Sequence, residues 1–311
     1  TQNELEDIIE ELSPSLIFCD TANRNRLDGE DVIHMDENFF LNAFTFDIRD
    51  LKLPNSSKIK EDTIFGYFLT SGTTGKSKIV PLKRRQMLSA AKASARNFQP
   101  EPNHFWLLCL PLNHVGGISI IFRSLLYGSA IYRMGRFNEE MVTEFLSENP
   151  RFQEASLVPT MLSRLLKNPL FKTHRGFKAI LLGGGPTTQQ LLKRSVERGI
   201  PIVSSYGMTE TCAQIVANPM TTPSGMYTPL KSVGKPFPPN QLQIRDPEGK
   251  VLGKNQSGMI WLKGPQVFDG YYESDEISDI FDKNMWFKTG DYGHLNGFDQ
   301  LFIESRREDL I

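Results

Sequence analysis

Three cysteines in 311 residues, Cys19, Cys109 and Cys212, are too few and too scattered for a disulfide framework or a metal cluster. They read as reduced, intracellular thiols. No apolar run is long and charge-free enough to span a bilayer. The best stretch, Gly116 to Tyr132, carries Arg123 in its middle. An excess of either charge is missing too: 35 Lys and Arg stand against 36 Asp and Glu, a formal net charge of −1. That balance excludes a nucleic-acid binder working by bulk charge and a polybasic membrane surface. No signal-peptide pattern opens the sequence, and a cytoplasmic location is expected. Internal repeats and low-complexity tracts are absent. What remains is a globular composition, 39% hydrophobic and 23% charged, enough for a packed core of one large domain or two.

The opening segment is an amphipathic helix, with Leu5, Ile8, Ile9 and Leu12 at helical spacing, followed by a strand over Ser15 to Cys19. Residues 20–60 are polar and irregular and read as a surface loop or linker. From Ile64 to Phe137, and again from Glu154 to Tyr206, short apolar strands alternate with helical stretches such as Lys83 to Phe98 and Gln189 to Arg198. Such alternation implies mostly parallel sheets packed with helices. After about Asn218, Pro and Gly become frequent and helical patterns stop. Asp246-Pro-Glu-Gly249 and Asn296-Gly297 are hairpin signals, so a β-rich subdomain follows. The expected division is 1–218 for the α/β part, 219–304 for the β-rich part and 305–311 for a terminal hinge. The chain starts at Thr1 inside a helix and stops at Asp309-Leu310-Ile311, so both ends read as cut from something longer.

Four segments carry chemistry. Leu69-Thr-Ser-Gly-Thr-Thr-Gly-Lys-Ser-Lys78 interleaves hydroxyls and glycines ahead of two lysines. Glycines let backbone N–H groups converge on an anion, hydroxyls donate, and lysine neutralises: this is phosphate-binding chemistry, against the plainer reading of a polar turn. It is not a Walker loop, because too few residues separate the glycines and strand-like Ile79-Val80 follows where a helix should begin. Leu181-Leu-Gly-Gly-Gly-Pro186, at a strand end, suits either a flat ligand against the backbone or a tight turn. Ser205-Tyr-Gly-Met-Thr-Glu-Thr211 places a ring, a hydroxyl and a carboxylate directly after a strand; it is otherwise a helix start capped by Thr209. Lys288-Thr-Gly-Asp291 with Arg306-Arg307 offers a carboxylate for two ribose hydroxyls and a guanidinium donor, or else a surface turn and solvated charge.

Together, in this order, the Thr70–Lys78 loop, the Tyr206–Glu210 motif, Thr289-Gly290-Asp291 and Ser305–Asp309 resemble the acyl-adenylate-forming superfamily of acyl-CoA synthetases, adenylation domains and beetle luciferases. The resemblance covers the chain from Leu5 onward. Within the superfamily, Leu110-Pro-Leu-Asn-His-Val-Gly-Gly117, Ser156-Leu-Val-Pro-Thr160, the triple glycine and Tyr206-Gly-Met-Thr-Glu-Thr-Cys212 are similar to the o-succinylbenzoate–CoA ligase branch of menaquinone biosynthesis. Asn113 departs from the aromatic expected before His114. The resemblance implies the large N-terminal α/β core of an adenylate-forming enzyme, without the small mobile C-terminal domain and its adenylation lysine. It implies an acid–CoA ligase using ATP, Mg²⁺ and coenzyme A on a small-molecule carboxylic acid, with a homo-oligomer left open.

By the same resemblance, Thr70, Ser71, Gly72, Thr73, Thr74, Gly75 and Lys76 take the triphosphate. Thr209 takes the α-phosphate and Glu210 the Mg²⁺. Gly183, Gly184 and Gly185 flank the adenine, Tyr206 stacks on it with Gly207 beside it, and Asp291 and Arg306 hold the ribose. His114 sits where the acid and CoA channels meet, or merely caps a helix. Ser156 and Arg123 line the acid pocket, and Arg123 faces a second substrate carboxylate unless it is a structural or snorkelling arginine. Two rivals stand beside this: a nucleotide-binding fragment without catalysis, and an amino-acid-activating domain. The latter is disfavoured by the lack of a carboxylate between Asn113 and Arg123. Other aryl or fatty acids remain alternatives as substrate.

Replacing Thr73 and Thr74 together by Ala removes two donors to a polyanion, each worth about 1.5–3 kcal/mol. ATP-dependent turnover should fall ~10-fold or more; unchanged turnover would reduce the loop to a turn.

Overall fold

The computed structural model describes residues 2–15, 17–20, 25–27, 32–35, 60–70, 78–220, 231–273 and 277–306. Ser71, Gly72, Thr73, Thr74, Gly75 and Lys76 lie outside these, as do 307–311 of the expected hinge. Contacts divide the chain into two units, 1–59 and 60–311. In the first, helix α1 (Gln2–Leu12) precedes strand β1 (Ile17–Asp20), which pairs in parallel with β2 (Val32–Met35). β2 corrects the reading of 20–60 as wholly irregular. Four residues, Val-Ile-His-Met, are too short a run to stand out by periodicity, and the ladder with β1 makes them a strand.

The second unit opens with an antiparallel hairpin of β3 (Ile64–Thr70) and β4 (Lys78–Lys83), closing on the pair Thr70 and Lys78. The phosphate-loop sequence is the connection of this hairpin. Helix α2 (Arg84–Phe98) follows directly, and the backbone N–H of Lys83 donates to Gln86 Oε1, a capping interaction.

A seven-stranded sheet comes next. Its parallel strands are β5 (Phe105–Leu108), β6 (Ala130–Arg133), β7 (Phe152–Leu157), β8 (Ala179–Leu182) and β9 (Ile202–Met208), in the order β9-β8-β7-β5-β6. β10 (Ala213–Ala217) and β11 (Lys235–Pro236) add antiparallel strands beyond β9. Strands such as Phe-Trp-Leu-Leu and Ala-Ile-Leu-Leu are apolar at successive positions because both sheet faces are covered. Trp106, Leu108, Ala179 and Val203 pack with Phe98 and Ile120 on one face. That face holds α2 and α3 (Val115–Tyr127). Leu107, Leu157 and Ile180 pack with Leu146, Leu162 and Leu192 on the other. These come from α4 (Glu139–Glu148), α5 (Pro159–Leu165) and α6 (Gln189–Glu197). Local sequence marks the ends: Asn138 and Thr188 accept from the N–H groups of Met141 and Leu191, Pro159 opens α5, and Gly128 closes α3 at φ +68°.

The last part is a four-stranded antiparallel sheet of β12 (Gln241–Arg245), β13 (Gly258–Lys263), β14 (Phe287–Leu295) and β15 (Leu301–Arg306). A short helix, α7 (Ile277–Ile280), sits where helices were not expected. Phe268, Phe281 and Phe287 join Val80, Leu82, Val115 and Ile215 in one core, which ties this sheet to the β3–β4 hairpin and β10. The result is a mixed α/β fold with a parallel-rich sheet and a C-terminal antiparallel sheet. Among the described residues no helix is long and apolar enough to cross a membrane, and all three cysteines are buried without forming a disulfide among those residues.

Gly117 shows how tightly the loop before α3 is seated: an added Cβ would lie 2.2 Å from the Pro111 carbonyl oxygen. Gly117→Ala must push back that loop, which carries His114, and should lower stability by roughly 1–3 kcal/mol in urea denaturation. An unchanged midpoint would show that the loop yields freely.

Candidate active site

Parallel strands bring their carboxyl ends to one edge, and an open α/β sheet binds ligands outside that edge. Beyond β5 comes the 109–114 loop, with His114 at the N-cap of α3. Its side chain is exposed and makes no capping hydrogen bond. Beyond β8 come Gly183, Gly184 and Gly185. Ser205 Oγ donates to the Leu182 carbonyl at 3.0 Å, and a Cβ on Gly183 would stand 2.7 Å from that hydroxyl. Gly184 has φ +74°, so Gly184 is favoured by backbone shape and Gly183 by space.

The Tyr206 motif was expected just after a strand, but β9 runs through it to Met208. Pairing of Gly207 with Gln214 and of Met208 with Ala213 extends the ladder, so Tyr206 and Gly207 are strand residues. Thr209 and Glu210 then occupy a single 3₁₀ turn, Thr209–Thr211, whose N-cap is Met208 rather than Thr209. The Met208 N–H donates to Thr211 Oγ1 at 3.0 Å.

The antiparallel sheet supplies the opposite wall. Asp291, only 5% exposed on β14, accepts a 2.8 Å hydrogen bond from Tyr206 OH. Arg306 pairs with Asp291 across the β14–β15 ladder. The two segments expected to hold base and ribose therefore meet, 85 residues apart in sequence. Thr70, at the hairpin end, donates from Oγ1 to the Lys78 carbonyl at 3.4 Å.

Sequence reasoning missed the segment that ties hairpin and turn together. Residues 264–272 cross over Glu210 as a strap. The Phe268 N–H donates to the Glu210 carbonyl at 2.8 Å, and the Tyr272 N–H to the Ile79 carbonyl at 2.9 Å. Gln266, fully buried, donates to the carbonyls of Thr211 and Gln214. Asp269 takes Lys83 at 2.8 Å and the Arg85 guanidinium at 2.6 Å. Burial would raise the Asp269 pKa, yet these two partners hold it below the usual carboxylate value. Tyr271 OH donates to Glu210 Oε1 at 2.8 Å, and the Lys78 ammonium sits 4.7 Å from the centre of its ring. Burial, reinforced by the Glu210 charge, pushes the phenol pKa well up, so Tyr271 stays a donor. Glu210 itself is 8% exposed. The only hint in sequence was an aromatic pair following Asp269-Gly270, which fits any β-turn.

Arg123 and Ser156 lie deeper. Ser156 is buried and its hydroxyl accepts from Trp106 Nε1 at 2.9 Å. Arg123 is 3% exposed, stacks 4.1 Å from the Trp106 ring centre, and donates from Nη1 to Ser94 Oγ at 2.8 Å. Its Nε and Nη2 make no hydrogen bond among the described residues, and neither does Gln214 Oε1. These atoms border a small cavity of about 10 Å³ between α2, α3 and β10, the room of a single water. Burial lowers the Arg123 pKa to about 10 and Glu154 partly offsets this, so the guanidinium stays charged at neutral pH.

An open, parallel-rich α/β sheet carries hydroxyl, glycine, carboxylate and aromatic residues along its carboxyl edge, the edge at which α/β proteins of this class bind their ligands. The chain belongs to the AMP-binding enzyme family, whose profile matches residues 1–272. It is 39% identical over 257 residues to the 2-succinylbenzoate–CoA ligase of Oceanobacillus iheyensis, covering 82% of this chain and 52% of that protein. Two solved structures of o-succinylbenzoate coenzyme A synthetase (MenE) from Bacillus subtilis share its fold. One, with ATP and magnesium ion, has a TM-score of 0.84 at 29% identity, covering 100% of this chain and 63% of that one. The other, with the acyl-adenylate intermediate OSB-AMP, has a TM-score of 0.85 at 29% identity, covering 99% and 62%. The chain spans about half the length of the curated relatives it matches.

The charge beside Arg123 generates a pH prediction. Glu154, 2% exposed, is pushed by burial from 4.5 up to about 7, against the pull of Lys178 and Arg123. The folded state then holds more protons than the unfolded chain between these values. Stability should fall as pH rises from about 4.5 to 7, by on the order of 3 kcal/mol. Urea midpoints across that window should flatten in Glu154→Gln; an unchanged slope would place the titration elsewhere.

Proposed function

We propose that the protein is an ATP-dependent acid–CoA ligase acting on 2-succinylbenzoate in menaquinone synthesis. The carboxylate attacks the α-phosphorus of ATP and pyrophosphate leaves. The CoA thiol then attacks the acyl carbon, losing its proton, and AMP departs. The observation that carries this reading is the meeting of Tyr206 and Asp291 at the sheet edge that also bears the triple glycine and Glu210. The names of the relatives support the choice of acid.

The difficulty of the first step is bringing two anions together and holding the charge that accumulates on the phosphates. The Thr70–Lys76 connection and Lys78 supply hydroxyls, backbone N–H groups and cations at the hairpin mouth. Thr209 hydrogen-bonds the α-phosphate. Gly183, Gly184 and Gly185 let the adenine lie flat, Tyr206 covers its other face, and Asp291 with Arg306 takes the ribose. His114 is exposed on the loop between acid and thiol. The donor set fits Mg²⁺: Glu210 offers hard oxygen on a turn braced on every side, beside the hairpin mouth. When bound, the ion neutralises phosphate charge. ATP and CoA as co-substrates suit the cytoplasm.

Arg123 is the candidate counter-charge of the substrate's second carboxylate: two of its nitrogens carry unused donors, and the single-water cavity they border must widen for a carboxylate to reach them. The competing reading, a structural ion pair, has its own support in the pull that Glu154 exerts on it.

The deciding experiment is acid-dependent ATP–pyrophosphate exchange on the full-length protein with aryl, aliphatic and amino acids. Exchange with 2-succinylbenzoate is expected. Exchange with amino acids alone would overturn the ligase reading, and nucleotide binding without exchange would leave a nucleotide-binding protein. In the same assay Arg123→Gln should raise KM for the dicarboxylic aryl acid at least tenfold more than for benzoate-like monoacids, about the worth of one charge-assisted hydrogen bond. Equal losses for both acids would make Arg123 structural.

A further inference from the structure

Glu210 stands on a single helical turn, and its side chain has three rotatable bonds before the carboxylate. Something must hold that carboxylate in one orientation. From the strap we infer that Tyr271 is a positioning residue that orients the Glu210 carboxylate toward a divalent cation. The inference rests on the reading of Glu210 as the cation's ligand.

The phenol is fixed from several directions. Its OH donates to Glu210 Oε1 at 2.8 Å. Its ring packs edge-on against Phe268 at 5.0 Å, and the Lys78 ammonium lies 4.7 Å from its centre. Flanking backbone bonds run from Phe268 to Glu210 and from Tyr272 to Ile79. Asp269, two residues earlier, is clamped by Lys83 and Arg85. A donor locked in this way holds one carboxylate oxygen and so sets the plane in which the other presents its lone pairs. Outer hydrogen bonds of this kind govern how well a ligand binds its metal. The same ring carries the cation at the mouth of the phosphate hairpin, so one side chain sets the spacing between Lys78 and Glu210.

The test separates cation binding from nucleotide binding. Mn²⁺ is titrated into the full-length protein saturated with ATP, without acid, and followed by electron paramagnetic resonance. ATP affinity is measured separately in EDTA. Tyr271→Phe should weaken Mn²⁺ binding about tenfold, at the low end for a lost outer partner, and leave cation-free ATP affinity within about twofold. Glu210→Gln should weaken Mn²⁺ at least as much, with no further loss in the double variant. Glu210→Asp draws the carboxylate back from the phenol without touching the strap. It should lose similar affinity and be indifferent to Tyr271→Phe. If Glu210→Gln weakens Mn²⁺ and Tyr271→Phe does not, the positioning role falls while the Glu210 reading stands. If Glu210→Gln changes nothing, both fall. Equal losses of Mn²⁺ and of cation-free ATP affinity would mean a general loosening and would overturn the role.

Discussion

Five strands run in the same direction through one sheet, and the geometry of the candidate site depends on that constraint. Hydrogen bonding in parallel aligns the strand ends, so the loops that leave them converge at one edge. The triple glycine and the His114 loop follow β8 and β5, and Thr209 and Glu210 follow β9, so all arrive there together. The requirement that both sheet faces be covered explains the sequence of the strands themselves. Helices α2 and α3 occupy one face, α4 to α6 the other, and β5 and β8 are accordingly apolar at every position.

The antiparallel half completes the site through short-range forces. Phe268, Phe281 and Phe287 bury against the β3–β4 hairpin and β10, fixing β14 so that Asp291 reaches Tyr206. The 264–272 strap then crosses the Glu210 turn. Nearly every polar group there has a partner: Gln266 braces two carbonyls, Gln86 donates to Val267, and Asp269 pairs with two cations. In a low-dielectric setting such a network rigidifies what it surrounds. On the proposed reading of Glu210 as a cation ligand beside a polyphosphate, that rigidity matters, because any slack would be taken up before charge is stabilised.

Arg123 and Glu154 show a different use of burial. Each is nearly inaccessible, and each is pushed toward its neutral form by desolvation. Arg123 keeps its charge because a guanidinium starts from so high a value and rests on the Trp106 ring. Glu154 is brought close to neutrality. Arg123 is thus a buried cation with two donors left unpaired among the described residues, facing a cavity the size of one water.

Much of this was legible in the sequence. The alternation of strand and helix, the two hairpin signals and the four motif segments depend on local spacing, and local spacing is what a sequence displays. Other features depend on residues far apart in the chain. The extension of β9 through Tyr206 required the β10 ladder, and β2 required β1. The bond between Tyr206 and Asp291, the hold of Tyr271 on Glu210 and the burial of Arg123 against Trp106 arise only when the core closes. Residue type announces that a tyrosine can donate or an arginine can pair. Which partner it meets is decided by the packing of the sheets, since hydrogen bonds and ring contacts act over a few ångströms and the sequence carries no distances.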